Sequence, residues 1–133
     1  MIAAMLIACA PALAQKAARV DPAPPPVAAP ETAPPYEPQL LRLAELMGAL
    51  AYMRDLCGAH DGELWRTKMA ALMDAEAKSD VRRERLAGAY NHGFRGYQTS
   101  YRACTANAGL VITRYLEEGE RLVRELGNRY GGG

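Results

Sequence analysis

All nine prolines of this 133-residue chain lie at or before Pro38, and none follows. Proline lacks the backbone N–H and clashes with the preceding helical turn, so regular helix is disfavoured up to that point and unobstructed beyond it. The distribution divides the chain into an N-terminal tract with little to bury and a C-terminal segment free to form long helices. Residues 15–38, QKAARVDPAPPPVAAPETAPPYEP, alternate Pro with Ala and a few charges. Such a tract favours extended polyproline conformation and cannot bury enough apolar surface to order itself. It reads as a disordered spacer rather than as a ligand for a proline-binding domain.

Upstream of the spacer, residues 2–10 are apolar, Pro11 breaks the run, and Ala12-Leu13-Ala14 supplies a small-x-small cleavage site. Residues 1–14 are therefore expected to be a signal peptide cut after Ala14. The positively charged n-region is missing, which places the expected true start upstream of Met1. Leu6-Ile7-Ala8-Cys9 also fits a lipidation box. Only residues 2–5 precede that box, short of an apolar core of about 7 residues, so cleavage is favoured over lipidation at Cys9. Both readings predict export, to the periplasm as a free protein or, in the alternative, anchored to the outer membrane through Cys9.

From Gln39 the apolar period becomes helical. Leu40, Leu43, Met47, Leu50, Met53 and Cys57 step along one face, with Pro38 in the first turn and Gly58 at the end. Asp61 is placed to cap a second helix, whose stripe is Leu64, Trp65, Met69, Leu72 and Met73. A third runs from Val81 to Cys104 through Leu86, Ala89, Tyr90, Phe94, Tyr97 and Tyr101. Glycines at 88, 93 and 96 weaken it by up to about 1 kcal/mol each, or allow close packing, with a kink expected at Asn91-His92-Gly93. Thr105 or Asn107 caps a fourth, carried by Val111, Tyr115, Leu122, Val123 and Leu126 as far as Gly127, and residues 129–133 are expected to fray. With no alternating strand pattern, the fold class predicted for residues 39–128 is all-α: an antiparallel bundle of about four helices.

Cys9 falls in the export signal, leaving Cys57 and Cys104, which pair in an oxidising compartment. In an up-down-up order the ends of the first and third helices meet at one end of the bundle, so the topology agrees with this disulfide. The sharper alternative is a metal or thiol site, because Cys57-Gly58-Ala59-His60 has ligand-like spacing. A lone CxxH without a fourth ligand is weak support, and neither a metal nor a cofactor is predicted.

Residues 90–104, YNHGFRGYQTSYRAC, have the most unusual composition in the chain. Aromatic residues at helical spacing are first of all core, with tyrosine hydroxyls reaching its edge. The functional alternative is a polar-aromatic groove in which Arg95, Tyr97, Gln98, Tyr101 and Arg102 stack on sugar rings or hold a carboxylate or peptide. No Ser sits in a strained Gly-x-Ser-x-Gly turn, and the Glu117-Glu118-Glu120 run beside Arg114, Arg121 and Arg124 reads as a solvated face. Sixteen Lys plus Arg against fifteen Asp plus Glu set up no field that would favour nucleic acid. Arg82, Arg83 and Arg85 form a basic cluster where a helix N-terminus is unfavourable to it, offset by Asp80 and Glu84.

The blocks GALAYMRDLCGAHDGELWRTKMAALMDAE, RRERLAGAYNHGFRGYQTSYRACT and ITRYLEEGERLVREL cover most of residues 45–128. Together they resemble an uncharacterised family of small exported alphaproteobacterial proteins, a domain of unknown function. The resemblance implies an envelope location and a helical domain, and transfers no catalytic residue. The resulting expectation is a non-enzymatic periplasmic binding or assembly module, its partner an envelope protein or cell-wall component, with membrane contact only through a lipidated Cys9. The alternative is a small envelope enzyme acting on glycan or peptide, with His92 and a nearby carboxylate as acid and base.

Overall fold

The computed structural model describes residues 20–26 and 32–131. The expected signal peptide, the lipidation reading at Cys9 and most of the expected spacer lie outside the described residues. Residues 20–26 are exposed and without regular secondary structure. The remainder holds four helices, α1 Glu37–Leu56, α2 Gly62–Glu76, α3 Asp80–Ser100 and α4 Ala106–Tyr130, with no strand among the described residues. No helix among them is long and apolar enough to cross a membrane.

Several ends differ from the sequence expectation for local reasons. α1 begins at Glu37, two residues before Gln39, because Pro38 fits the first turn, where no N–H is needed. It stops where Gly58 adopts φ 86°, the left-handed conformation expected of a helix-ending glycine. Asp61 stands at the N-cap position of α2 but makes no capping hydrogen bond. Its carboxylate is taken by Arg54 at 2.7 Å, and Asp55 instead accepts from the Gly62 N–H at 2.8 Å. α3 ends at Ser100, short of Cys104, where Tyr101 turns extended and the Tyr52 hydroxyl donates to its carbonyl. Ser79 caps α3 by accepting from the Arg82 N–H, and Thr105, rather than Asn107, caps α4 by accepting from the Ala108 N–H. α4 passes Gly127 and continues to Tyr130, so residues 129 and 130 are helical. The Tyr130 ring lies 4.8 Å from that of Tyr36, which holds this last turn.

The chain runs up, down, up, down. Tyr36 meets Glu76 and Asp55 meets Gly62, so α1 and α2 are antiparallel. Arg42 meets Glu118 and Tyr36 meets Tyr130, so α1 and α4 are antiparallel. α1 and α3 are parallel, held at their N-termini by Glu37–Arg82 and at their C-termini by the Cys57–Cys104 disulfide, with Cα atoms 5.0 Å apart. The predicted staple is thus present.

Between those clamps the parallel pair approaches unusually closely. A Cβ on Gly48 would land on the Tyr90 carbonyl oxygen, and one on Gly93 would land on the Glu45 carbonyl oxygen. Gly88 and Gly96, on the same helix, have open space where a side chain would go. α2 and α4 each pack on α1, and no Cα of α4 comes within 8 Å of α2 or of α3. α1 becomes the central helix, with Leu40, Leu46, Ala44, Ala49, Leu50, Ala51 and Met53 almost wholly buried on different sides of it. Leu46, Met53 and Leu86 are the largest fully buried side chains, each stabilising the fold by roughly 1.5–3 kcal/mol.

Arg82, part of the basic cluster at the start of α3, is buried. It pairs with Glu37 at 2.8 Å and donates to the Glu76 carbonyl at the C-terminus of α2, tying three helices together. Arg83 pairs with Asp74 on α2 at the surface, and Arg85 is exposed.

Candidate functional site

Separation of α2 from α4 leaves a cleft between them over α1, whose side chains there stay almost wholly buried at its base. The result is an apolar groove of about 590 Å³, floored by Leu43, Leu46, Met47 and Leu50 of α1. Trp65, Lys68 and Leu72 of α2 form one wall, and Tyr115, Leu116, Gly119 and Val123 of α4 the other. A second cavity of about 270 Å³ continues it toward Tyr36 and Tyr130, sharing Leu43, Leu72 and Val123. Val123, expected in the core, is 55% exposed because it borders this opening, and Leu116 is exposed beside it. Leu64, also expected in the α2 stripe, is half exposed. The volume lies in the range of about 300–1,000 Å³ typical of small-molecule sites, and such sites are predominantly apolar with few polar groups.

The polar groups along the groove are unequal. Glu120 pairs with Arg124 one turn further along α4, and Glu76 accepts from the Tyr36 hydroxyl at 3.2 Å. Lys68 has no carboxylate partner among the described residues; its Nζ lies 5.9 Å from the centre of the Trp65 ring. The buried Trp65 indole N–H faces Asp61, whose carboxyl is held below its usual range first by the hydrogen bond from Arg54.

The residues proposed from sequence divide between two surfaces. Tyr97 and Tyr101 turn toward α4: their rings stack with centres 5.8 Å apart, Tyr97 exchanges a short hydroxyl contact with Tyr115, and Asn107 donates to the Tyr101 hydroxyl. Burial, then the Tyr115 hydrogen bond, pushes the Tyr97 phenol well above its ordinary value. Arg95 points about 160° away around the helix. There it lines a surface depression with Gly88, Asn91, His92, Gly96 and Thr99. Gln98 and Arg102 are exposed.

A chain of charges joins these surfaces through α1. Arg42 binds Glu118 through two parallel hydrogen bonds at 2.7 and 3.0 Å, reaches Glu45 at 3.2 Å and lies 5.2 Å from the centre of the Tyr115 ring. The paired guanidinium holds the Glu118 carboxyl below its usual range, and Glu118 in turn raises Arg42 further. Glu45 also approaches His92 Nδ1 at 3.5 Å, so the histidine has a carboxylate in reach, although its side chain is 79% exposed. Glu118, expected from sequence on a solvated face, instead joins α4 to Arg42 of α1, beside the packing of Leu122, Tyr115 and Leu126 against the core.

Cys57 is occupied by its disulfide, so the CxxH reading loses its first ligand, and His60 lies in a left-handed turn with φ 53°. Among the described residues no group of three or more His, Cys, Asp or Glu side chains is placed to hold a metal ion.

No curated protein and no solved structure matches the chain. One family profile does match, over residues 35–130, beginning just before α1 and ending with the last residue of α4. The matched segment is the whole four-helix unit with its groove and staple, and the chain belongs to the family described as protein of unknown function, DUF2385.

Proposed function

We propose that the domain is a non-enzymatic binding module of the cell envelope, exported to the periplasm and presenting the α2/α4 groove as its ligand surface. The observation that carries this reading is the groove itself: apolar, about 590 Å³, and set between α2 and α4 where the two helices stay apart. The disulfide and the spacer ahead of α1 support an oxidising, extracytoplasmic setting. A photo-crosslinking residue placed at Val123 in the protein expressed in its own cells should give an adduct in the periplasmic fraction. Mass spectrometry of the same sample should find residue 15 at the N-terminus. Adducts from a crosslinker at Arg95 and none from Val123 would move the ligand surface to the outer face of α3. A cytoplasmic chain with two free thiols would overturn the envelope assignment.

The enzymatic alternative has one observation in its favour, the His92–Glu45 approach at 3.5 Å on that same outer face. A reaction abolished by His92→Ala with stability unchanged would establish it in place of the binding reading.

A further inference from the structure

We infer that the ligand of the α2/α4 groove is a long-chain fatty acid, its chain lying along α1 and its carboxylate meeting Lys68. This deepens the binding reading above and rests on it. Three features select this ligand class. The first is shape. The wider and narrower cavities share Leu43, Leu72 and Val123 and form one channel, which follows α1 for about 21 Å between Leu50 and Tyr36. The second is volume. The wider cavity, about 590 Å³, lies within the range of about 300–1,000 Å³ typical of small-molecule sites. A single flexible chain fits within that space. Met47 in its floor adds an adaptable, polarisable surface against which such a chain can settle.

The third feature is charge, and it fixes the direction of the chain. At the narrow end the Glu76 carboxylate disfavours an anion. In the wider part Glu120 is neutralised by Arg124, and Lys68 remains a cation without a carboxylate partner among the described residues. An anionic head at Lys68 with the chain running toward Tyr36 and Tyr130 satisfies both ends.

Gly119 provides a test that does not depend on damaging the fold. It lines the α4 wall, and a Cβ there would meet nothing within 4 Å. Gly119→Leu therefore fills the groove while raising helix propensity. The full-length, disulfide-bonded protein would be titrated with cis-parinaric acid and, separately, with the neutral probe N-phenyl-1-naphthylamine, each followed by fluorescence. Both should bind saturably and be displaced by palmitate, and Gly119→Leu should abolish both signals without lowering thermal stability. Lys68→Met, which keeps the apolar stem, should weaken palmitate about tenfold and leave hexadecanol unchanged. If the neutral probe binds and Gly119→Leu removes it, yet palmitate does not compete, the groove stands as a binding surface and the fatty-acid assignment falls. Tighter binding of a lysophospholipid than of palmitate, or an unaltered palmitate affinity in Lys68→Met, overturns the carboxylate assignment. Absence of binding by every probe overturns both this inference and the groove reading beneath it.

Discussion

A single methyl group is enough to part α1 from α3 at two positions. Gly48 and Gly93 each face backbone of the opposite helix, where no rotamer change can make room, so a side chain must move the helices themselves. Gly48→Ala and Gly93→Ala should each lower stability by about 3 kcal/mol, at the upper end for overpacked cores, in chemical denaturation. Gly88→Ala, on the same helix but facing open space, should instead raise it by about 0.5–1 kcal/mol. If all three behave alike, close approach is not what these residues supply. Sequence reasoning raised close packing for the α3 glycines but could not rank them. Their difference lies in what stands opposite, and Gly48 drew no attention because it sits within an apolar helix. Arg82 was hidden for the same reason: its cluster with Arg83 and Arg85 has the composition of a surface, and only the approach of Glu37 makes burial tolerable.

At the scale of elements the helices and their order were legible, because apolar period, proline and glycine placement and hydroxyl caps act within a few residues of one another. The centrality of α1 was not. Its large side chains suggest one stripe, but Ala44, Gly48, Ala49 and Ala51 extend the apolar surface to further sides, and a helix apolar on several sides is buried on several sides. The disulfide was legible because it follows from topology and cysteine count together. It joins residues 47 apart, and closing a loop of that size stabilises the fold by about 4 kcal/mol in the chain-entropy model. The Cys57→Ser, Cys104→Ser double variant should lose about that amount in urea denaturation while keeping its helical circular dichroism. The parallel pair retains Glu37–Arg82 and the glycine contacts when the staple is gone. A loss well under 1 kcal/mol would mean that the unfolded chain already holds these ends together.

Across the whole molecule, the groove is a property of no single element. It exists because α2 and α4 both pack on α1 without meeting each other, and a spacing between helices leaves no local pattern in sequence. The same assembly sets how stability depends on pH. Glu118 and Asp61 are held below their ordinary values of 4.5 and 3.8 by hydrogen bonds from Arg42 and Arg54. Their contribution is fully present above those unfolded values and is lost as pH falls through the lower folded ones. Tyr97 is displaced the other way, raised above 10.0 by burial and by Tyr115. Its contribution is present below that value and is lost as pH climbs through the folded one. Stability should therefore form a plateau with an acid limb below pH 4.5 and an alkaline limb above pH 10. Denaturation midpoints across this range should show Glu118→Gln reducing the acid limb, which Asp61 shares, and Tyr97→Phe reducing the alkaline one, which Tyr36 and Tyr90 share, each leaving the opposite limb in place. Because Arg42–Glu118 and Tyr97–Tyr115 both hold α4 to the α1/α3 pair, each limb should first appear as faster amide exchange in α4. Exchange rising equally in all four helices at acid pH would show that α4 and its wall of the groove do not open as a unit.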